Sequence, residues 1–383
     1  MTIRPRVVIT GMGVSSPLGA DPRSLFERLL HGETAFREWS DLREAGYRCA
    51  MAARIDDVDA DPLRRGRALA VAAADQAVEQ CGTRLPAESG VYIGSTLGES
   101  AAFESAGEGN PIDIADYGVS SFVRGVRDRF QLTGPQQSLA TACAAGNYAI
   151  GAALDDLRAG RVDFALAGGA EPFSRLSLVG FSRSRAMAAD RCRPFDRERT
   201  GMLLGEGAAM FILERAADAL ARGATPLAEV VSLGLSCDAY HPTAPLPDGS
   251  GMRRAMQSAL DVAGVAASEI DWINAHGSGT RLSDAAEARA LRALFGDEQP
   301  VISGSKGSLG HALGASSAIE LAVCVQGLLE QQIPPTAGHE TADAEEGIEC
   351  TREPVRRPLR WVLNNAFAFG GLNSSLLLRA WES

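Results

Sequence analysis

The amino-acid sequence predicts an α/β protein in which helices cover a mostly parallel sheet. Short apolar runs, each bounded by glycine or polar residues, alternate with longer segments of helical periodicity. Such alternation is typical of parallel strands joined by helical crossovers. The chain of 383 residues is long enough for one large body or two fused halves, and no low-complexity tract or Pro/Gly-rich linker divides it.

The predicted strands fall into two sets of four. The first set comprises residues 7–10, 90–94, 164–167 and 208–213. The second set comprises residues 229–235, 272–274, 301–303 and 361–364. Helical spacing occupies residues 67–80, 144–158, 252–263, 284–295 and 312–330. The alanine-rich, charged stretch 214–228 separates the two sets, so two similar halves, residues 1–220 and 221–383, fit this layout.

Two of the predicted helices are apolar on nearly every side. Residues 144–153 and 312–322 consist largely of alanine, glycine and serine with a few larger apolar residues. Helices with small residues all round pack tightly in a protein interior. Cys143 and His311 stand directly before these helices, so we expect both side chains at the N-termini of buried helices.

Composition narrows the classes of function. The net charge of −11 argues against nucleic acid as the main partner, because phosphate binding needs an excess of positive charge. Seven cysteines without a C-x-x-C pair indicate neither a disulfide framework nor a zinc ribbon, and they fit a reducing compartment. The N-terminus has no signal-peptide pattern, and no apolar run approaches the ~20 residues of a membrane span. We therefore expect a cytoplasmic protein without a membrane partner.

The chain contains a single lysine, Lys306, beside 36 arginines. Lysine is a compact point charge with three rotatable donors, whereas arginine presents a wide planar fork. A narrow catalytic pocket is a place where this difference matters, and chance retention on a solvated loop is the alternative. Lys306 lies five residues before His311, in a stretch rich in glycine and serine.

Cys143 is the candidate nucleophile. It follows a strand-like segment and precedes a buried helix, within the sequence Thr-Ala-Cys-Ala. The unpaired N–H groups of a helix N-terminus stabilise a thiolate, so we expect a lowered thiol pKa at this position. A thiolate is the nucleophile that covalent acyl transfer requires. The alternative is a small cysteine buried in the core.

Two of the five histidines, His276 and His311, are flanked by glycine-containing loops at the ends of predicted strands. Each alone could be a packing residue, but with Cys143 and Lys306 they form a chemically active set. Zinc binding is disfavoured because the spacing is not that of metal ligands. A cysteine protease would leave the second histidine and the lysine without a role. The glycine-rich stretch 11–19 does not match a dinucleotide-binding loop, because Ser-Pro interrupts the helix start.

These residues resemble those of the β-ketoacyl-acyl-carrier-protein synthases, decarboxylating condensing enzymes with a thiolase-like fold. The similarity runs nearly end to end, through residues 8–13, 141–144, 195–201, 205–207, 274–277, 306–311 and 367–373. The resemblance implies an α/β fold of two duplicated βαβαβαββ halves, stacked as α-β-α-β-α layers. It also implies that subunits pair through the central sheet.

The same resemblance implies the chemistry. Cys143 would accept an acyl chain, as a thioester, from the phosphopantetheine arm of a carrier protein. His276 and His311 would then polarise a malonyl thioester and promote its decarboxylation, so that the enolate attacks the acyl-cysteine. Lys306, with Glu287 nearby, would set the orientation and protonation of His311. No metal and no resident cofactor are implied, since phosphopantetheine arrives on the carrier.

Phe369 matches the phenylalanine that gates the acyl pocket in this family, and its N–H group would form the oxyanion hole with that of Cys143. Further positions implied in substrate binding are Thr243, Ser278, Thr280, Phe367 and Gly370. The arginines implied in docking an acidic carrier protein are Arg64, Arg65, Arg67, Arg124, Arg127 and Arg193. A solvated helix face is the alternative for these arginines, although a local basic patch is enough to steer an acidic partner.

The sequence departs from the family pattern near the gate. Ala366 and Ala368 replace serine and glycine, and Leu372 replaces threonine. Alanine restricts the backbone more than glycine does, so we expect slower or differently shaped opening of the gate. The stretch 96–121 is shorter than in the family, so chain-length preference does not carry over.

The leading expectation is an elongating β-ketoacyl synthase, an acyltransferase of a fatty-acid, type II polyketide or polyene pathway. It would act with an acyl carrier protein, as a homodimer or as a heterodimer with a ketosynthase-like chain-length subunit. The alternatives are that chain-length subunit itself and a non-decarboxylating acyltransferase using the same thiolate. Chain-length subunits typically lack the nucleophilic cysteine, so the presence of Cys143 argues against a silent partner.

Overall fold

The computed structural model describes residues 4–56, 58, 61–107, 109 and 117–382. The first half contains, in chain order, β1 (Val7–Ser15), α1 (Pro22–Leu30), β2 (Arg37–Glu38), α2 (Ser40–Glu44), β3 (Met51–Ala52), α3 (Arg65–Cys81), β4 (Gly90–Gly94), α4 (Ser100–Gly107), α5 (Ser120–Phe130), β5 (Gln136–Leu139), α6 (Ala145–Arg158), β6 (Phe164–Glu171), α7 (Arg175–Arg183) and β7 (Gly207–Arg215).

The connecting helix α8 (Ala216–Ala221) leads into the second half. This half contains β8 (Ala228–Cys237), α9 (Ser250–Ala263), β9 (Trp272–Asn274), α10 (Arg281–Phe295), β10 (Val301–Ser303), α11 (Lys306–Leu309), α12 (Ser316–Glu330), β11 (Gln332–Ile333), β12 (Val355–Arg356), β13 (Trp361–Phe367) and β14 (Leu372–Ala380). Short 3-10 turns lie at Pro62–Arg64, Ala142–Ala144, Ala267–Glu269, Leu313–Ala315 and Phe369–Gly371.

Eight elements follow the same order in each half. The order is β1–α3–β4–α5–β5–α6–β6–β7 in the first half and β8–α9–β9–α10–β10–α12–β13–β14 in the second. Each half is therefore a βαβαβαββ unit with short elements inserted into it. The strand β7 ends before α8, and β8 begins after it. The predicted boundary between the two halves, at residues 220 and 221, stays a prediction.

The strands form a ten-stranded sheet in the order β10-β9-β13-β14-β8-β1-β7-β6-β4-β5. The central strands β1 and β8 pair over only three residues each, so two five-stranded parts meet along a short seam. The prediction of a mostly parallel sheet is wrong, because four pairings are parallel and five are antiparallel. The last two strands of each half pair directly as antiparallel neighbours. The short turn Phe369–Gly371 joins β13 to β14, whereas the connection from β6 to β7 is longer and includes α7.

Helices and sheet form five layers. The middle layer consists of α6 and α12, which contact strands of both five-stranded parts. The outer faces are covered by α3 on the first part and by α9 on the second. The core follows this layering, since its largest cluster lines α6, α12 and the strands that face them. This arrangement is the α-β-α-β-α stacking that the family resemblance implied.

Small residues let the two central helices meet at their N-terminal turns. A methyl group added at Gly146 would lie 2.7 Å from Ser317 Oγ, and the N–H of Asn147 donates to the same hydroxyl at 3.0 Å. Larger side chains at this crossing would hold the helices apart. The close approach therefore brings the residues that precede α6 and α12 together.

The segment Leu313–Glu330, which contains α12, is long and apolar enough by length and composition to cross a membrane. The expectation that no apolar run approaches the length of a membrane span is therefore wrong. However, 83% of this segment is buried inside the protein. Within the ranges that the structure describes, it is the one helix with these properties. Its apolar character follows from its place in the middle layer, where both sides face a sheet.

Candidate active site

Cys143 lies in the 3-10 turn Ala142–Ala144, between β5 and the buried helix α6. Ala142 has a left-handed backbone with φ of 48°, which is strained for a residue with a side chain. The turn ends the strand abruptly and leaves the Cys143 side chain 8% exposed at the edge of a pocket. Cys143 therefore lies directly before a buried helix, as the sequence predicted.

His311 lies beside this cysteine, with its Nε2 atom 3.0 Å from Cys143 Sγ. Its Nδ1 atom accepts a hydrogen bond from the main-chain N–H of Leu313 at 3.2 Å and lies 2.9 Å from Ser316 Oγ. A main-chain N–H only donates, so Nδ1 carries no proton in the neutral ring. The proton is therefore on Nε2, and His311 presents an N–H donor to the cysteine.

His276 follows β9 and faces the same pocket, with its ring 5.4 Å from the His311 ring at an angle of 76°. The carboxylate of Glu287 accepts hydrogen bonds from the main-chain N–H groups of His276 and Gly277, at 2.8 and 2.9 Å. Gly277 has φ of 43°, a left-handed conformation that suits glycine. The Nδ1 atom of His276 is buried and has no hydrogen-bond partner among the described residues.

Lys306 is buried beneath both histidines and 1% exposed. Its Nζ atom donates to the carbonyl oxygen of His276 at 2.6 Å and to Glu320 Oε1 at 2.5 Å. Neither Lys306 nor Glu287 has a hydrogen bond to the His311 ring among the described residues, so the expectation that they orient this ring stays a prediction. Glu287 holds the main chain at His276 instead, and the acidic partner of Lys306 is Glu320.

Sequence reasoning missed Glu320, although a signal was present. Glu320 is the only charged residue among the first fourteen residues of α12, a helix buried between two sheets. A buried carboxylate needs a cation or several donors to offset its loss of hydration. The single lysine of the chain was the obvious partner.

Burial controls the protonation of the site. Burial raises the pKa of the Cys143 thiol to about 11, although the charge of Lys306 and main-chain N–H groups act in the opposite direction. The expected lowering of this pKa is therefore wrong, and the resting thiol is neutral. Burial and the charge of Lys306 hold the pKa of both His276 and His311 well below the usual value, so both rings are neutral at physiological pH.

The main-chain N–H groups of Phe369 and Cys143 lie close enough to the Cys143 sulfur to lower the pKa of its thiol. They are the two groups that the resemblance implied as an oxyanion hole. They converge on the sulfur from opposite halves of the chain, since Phe369 follows β13 and Cys143 follows β5. Two fixed donors at the reacting atom are suited to stabilise developing negative charge.

Two adjacent cavities lie on the side of Cys143, and they share four lining residues. The inner one, about 30 Å³, is lined by both histidines and by Ser278, Thr280 and Phe367. The outer one, about 360 Å³, includes Thr243 and shares Pro245, Thr280, Ser283 and Phe369 with the inner one. Four of the five positions implied in substrate binding thus line the path to the cysteine. Gly370 is exposed and lies next to the gate.

Phe369 stands between the two cavities and is half-buried, with its ring 5.6 Å from that of Phe181. Gly370, at φ of 81°, donates its N–H to the carbonyl of Pro242 at 2.9 Å. Ala368 is extended, with φ of −105°, so alanine fits this position without strain. The effect of Ala366 and Ala368 on gate opening stays a prediction. Residues 108 and 110–116 of the shortened stretch lie outside the described residues.

Arg65 is wrongly predicted as a docking residue. Its guanidinium forms a two-pronged ion pair with the fully buried carboxylate of Glu206, at 2.7 and 2.8 Å, and also donates to the carbonyl of Ile55. Arg193 is 15% exposed and forms a two-pronged pair with Asp190. The ion pair between Arg65 and Glu206 fixes the start of α3, so Arg65 stabilises the fold.

The other predicted docking residues lie on α3 and α5 or at the start of α3, and these helices pack against each other: Arg64, Arg67, Arg124 and Arg127. Two further arginines, Arg185 and Arg281, line the outer cavity. Neither has a carboxylate partner within the part of the chain that the structure describes. Sequence reasoning missed both, because their place at the entrance depends on the folding of distant loops.

Models of one family match both halves of the chain. The Beta-ketoacyl synthase N-terminal domain matches residues 4–219, and the C-terminal domain of the same family matches residues 227–340. The chain belongs to the β-ketoacyl synthase family. Members of this family are acyltransferases, so the recognition from sequence and the enzyme class are both confirmed.

Similar proteins cover nearly the whole chain. Nodulation protein E of Rhizobium meliloti (strain 1021) is 35% identical over 98% of this chain and 99% of its own length. The 3-oxoacyl-[acyl-carrier-protein] synthase 2 of the same strain is 36% identical over 98% of this chain and 99% of its own. The corresponding synthase of Staphylococcus aureus (strain COL) is 32% identical over the full length of both.

Solved ketosynthase structures share the fold of this β-ketoacyl synthase. The ishigamide ketosynthase/chain length factor superimposes with a TM-score of 0.93 at 35% identity, over 99% of this chain and 100% of that one. A type II polyketide ketosynthase, in complex with its acyl-carrier protein and bound to the hexaketide, gives 0.92 at 27% identity over the same shares. The thiolase-like fold expected from the resemblance is confirmed.

Proposed function

We propose that this chain is an elongating β-ketoacyl-acyl-carrier-protein synthase in which Cys143 carries the acyl chain. The observation that carries the proposal is the 3.0 Å contact between His311 Nε2 and Cys143 Sγ, with His276 in the same pocket. Relatives named 3-oxoacyl-[acyl-carrier-protein] synthase support the same reaction. A silent chain-length subunit would have no use for this arrangement.

The first step transfers an acyl chain to Cys143. The sulfur attacks the thioester carbonyl on a phosphopantetheine arm, and a new carbon–sulfur bond forms while the bond to the carrier sulfur breaks. The thiol proton of Cys143 leaves with the carrier thiol, so one thioester replaces another. The N–H groups of Cys143 and Phe369 stabilise the intermediate oxyanion, because they are fixed donors at the reacting centre.

The second step removes carbon dioxide from a malonyl thioester. The bond to the carboxylate breaks, its electron pair becomes the enolate, and negative charge develops on the thioester oxygen. His311 Nε2–H donates to that oxygen, and a ring nitrogen of His276 supplies the second contact. Neutral rings are needed for this role, and the charge of Lys306 helps to keep them neutral by lowering their pKa.

The third step forms the new carbon–carbon bond. The enolate carbon attacks the carbonyl of the acyl-cysteine, and the bond to Cys143 sulfur breaks as the β-ketoacyl product forms on the carrier. The negative charge of the malonyl carboxylate ends on the thiolate, which then takes a proton from solvent. A thiol pKa of about 11 makes this reprotonation favourable.

The carrier protein is the proposed macromolecular partner. Its phosphopantetheine arm would thread the outer cavity past Thr243 and Thr280, and Arg185 and Arg281 at the entrance would attract its phosphate or acidic side chains. This reaction uses no metal or redox cofactor of the protein itself. The acyl chain that the enzyme prefers would then distinguish a fatty-acid pathway from a type II polyketide or polyene pathway.

A second chain would pair along β5. This strand ends the ten-stranded sheet and pairs with β4 on one side only, so its outer edge can accept another strand. A second copy or a ketosynthase-like chain-length subunit would extend the sheet there. A ketosynthase/chain length factor structure is among those similar to this chain. Mass measurement of the purified and co-expressed proteins in solution distinguishes the two.

The test of the proposal is intact-protein mass spectrometry after incubation with acyl-carrier thioesters of different lengths. The wild type should gain the mass of one acyl group, and Cys143→Ala should gain none. Release of β-ketoacyl-carrier should then require malonyl-carrier. Turnover without malonyl-carrier would indicate the non-decarboxylating acyltransferase instead. An adduct on Cys143→Ala, or none on the wild type even with a chain-length subunit, would overturn the assignment of the nucleophile.

A further inference from the structure

We infer that Glu171 is a positioning residue that sets the tautomer of His311 by holding the turn after that histidine. The inference rests on the proposed function, in which the Nε2–H of His311 is the donor to the reacting groups. Glu171 belongs to the first half of the chain, at the end of β6, whereas His311 belongs to the second. The coupling therefore crosses between the halves.

Glu171 is a buried carboxylate, 1% exposed, whose hydrogen-bonding capacity is filled by main-chain and hydroxyl donors. The donors and their distances are Thr96 N–H at 2.5 Å, Leu97 N–H at 2.9 Å, Gly314 N–H at 3.0 Å and Ser95 Oγ–H at 3.2 Å. Three of these belong to the loop after β4, and the fourth belongs to the turn Leu313–Ala315. One oxygen, Oε2, accepts from both segments and so ties them together.

The turn held in this way controls His311. The N–H of Leu313, one residue before the N–H bound by Glu171, donates to His311 Nδ1 at 3.2 Å. Leu313 has φ of 45°, a strained conformation that persists only when its surroundings impose it. A methyl group added at Gly314 would lie 2.5 Å from Thr96 N, so the turn fits closely against the loop after β4. Glu171 is the side chain that joins these two surfaces.

Loss of this anchor would change the chemistry of the histidine. When Leu313 N–H leaves Nδ1, the neutral ring is free to carry its proton on either nitrogen. The tautomer with the proton on Nδ1 presents a lone pair, and no donor, toward Cys143 and the substrate. A glutamine at position 171 weakens this anchor, because it keeps one acceptor oxygen where the carboxylate offers two, and its NH₂ group accepts from none of the main-chain N–H groups.

Glu99 provides a matched control. It is also fully buried, and it accepts hydrogen bonds from the N–H groups of Gly66 and Arg67 at 2.9 and 2.5 Å. Both of those groups lie at the start of α3, and Glu99 has no hydrogen bond to the turn after His311 among the described residues. Glu99→Gln therefore removes a comparable buried acceptor, but it leaves the donor to His311 Nδ1 in place.

The first experiment measures the tautomer directly. Wild type, Glu171→Gln and Glu99→Gln are labelled with ¹⁵N-histidine, and the ring-nitrogen shifts are assigned with His276→Ala and His311→Ala references. We expect one tautomer of His311, protonated on Nε2, in the wild type and in Glu99→Gln. In Glu171→Gln a second tautomer, protonated on Nδ1, should be populated. Retention of the wild-type tautomer in Glu171→Gln would overturn the inference, whatever the activity is.

The second experiment measures the step that His311 serves. Decarboxylation of malonyl-pantetheine, which lacks a carrier protein, should fall about tenfold or more in Glu171→Gln, mainly in kcat, because a lost buried hydrogen bond is worth about one decade in rate. Acylation of Cys143, followed by mass, should change less than decarboxylation. Equal losses in Glu171→Gln and Glu99→Gln would indicate a structural role only and overturn the inference.

Two provisions keep the test decisive. If Glu171→Gln does not fold, Ser95→Ala removes one of the four donors and keeps the carboxylate, and a smaller shift of the same tautomer equilibrium is expected. An unchanged tautomer in Ser95→Ala would then count against the inference. If the wild type itself lacks decarboxylation activity, the proposed function fails, and the ¹⁵N result still reports separately on the link from Glu171 to His311.

Discussion

The turns before α6 and α12 occupy the same place in the two halves, and the protein uses them for different chemistry. Both are 3-10 turns whose first residue has a left-handed backbone, Ala142 at φ of 48° and Leu313 at 45°. In the first half the turn itself carries the nucleophile, Cys143. In the second half the reactive side chain, His311, precedes the turn, and a main-chain N–H of the turn fixes its ring.

The two turns are also held by each other's half. The N–H of Phe369, which follows β13, reaches the sulfur of Cys143. The carboxylate of Glu171, which ends β6, accepts from Gly314 N–H in the turn after His311. Each half therefore supplies a reactive group and a support for the other's reactive group. The two halves therefore share the same kind of turn, while the reaction chemistry is divided between them.

The largest expected effect concerns Lys306 in α11, a helix without a counterpart among the described residues of the first half. Lys306→Met leaves Glu320 buried without its cation, so the free energy of unfolding should fall by about 3–5 kcal/mol. The double variant Lys306→Met with Glu320→Gln should recover most of this loss. Denaturant unfolding of the single and double variants measures both. A loss of unfolding free energy below about 1 kcal/mol in Lys306→Met would show that the ion pair between Lys306 and Glu320 does not stabilise the second half.

The second prediction tests whether burial or the helix N-terminus controls the pKa of the Cys143 thiol. Because burial raises the pKa of Cys143 to about 11, its thiolate fraction rises about tenfold per pH unit between pH 7 and 9. Alkylation of Cys143 by iodoacetamide, followed by peptide mass spectrometry, should therefore increase about 100-fold over this range without a plateau. The exposed Cys237 reports on the reagent in the same sample. A plateau below pH 8 would mean that the helix N-terminus outweighs burial.

The smallest effect tests the contact that brings the two turns together. Gly146→Ala places a methyl group 2.7 Å from Ser317 Oγ, so the central helices must separate, at a cost of about 1–3 kcal/mol. Acylation of Cys143 should slow in the same variant. Gly180→Ala, in α7 with open space around it, is the control and should stabilise the protein slightly. Similar unfolding free energies for the two variants would contradict the tight crossing.

Much of the fold could be predicted from the sequence because most strands are apolar runs between glycine or polar residues. The strands β4, β9 and β10 have the predicted bounds, whereas β1, β6 and β7 extend further than predicted. The strand β14 was missed, since its sequence Leu-Asn-Ser-Ser mixes polar residues into a buried strand. Their hydroxyls and amides find partners on β13 and β8, which a local pattern does not reveal.

The site could be predicted in part. Cys143, His276, His311 and Lys306 were identified from rare residue types beside glycine loops and small-residue helices. The supports of these residues were not identified, because they come from elements that are distant in the chain. The same reason explains the error at Arg65, whose exposed helical context gave no sign of the buried Glu206.

The amino-acid sequence specifies the order of elements, the small residues that permit the central helices to touch, and the chemical groups available for reaction. Tertiary structure alone decided which groups meet and in what state of charge. The Cys143 thiol is neutral at rest because burial outweighs the helix N-terminus, and His311 is a donor because one N–H from Leu313 reaches its Nδ1. Desolvation and hydrogen-bond direction depend on every layer packed around an atom, and these layers exist only after folding.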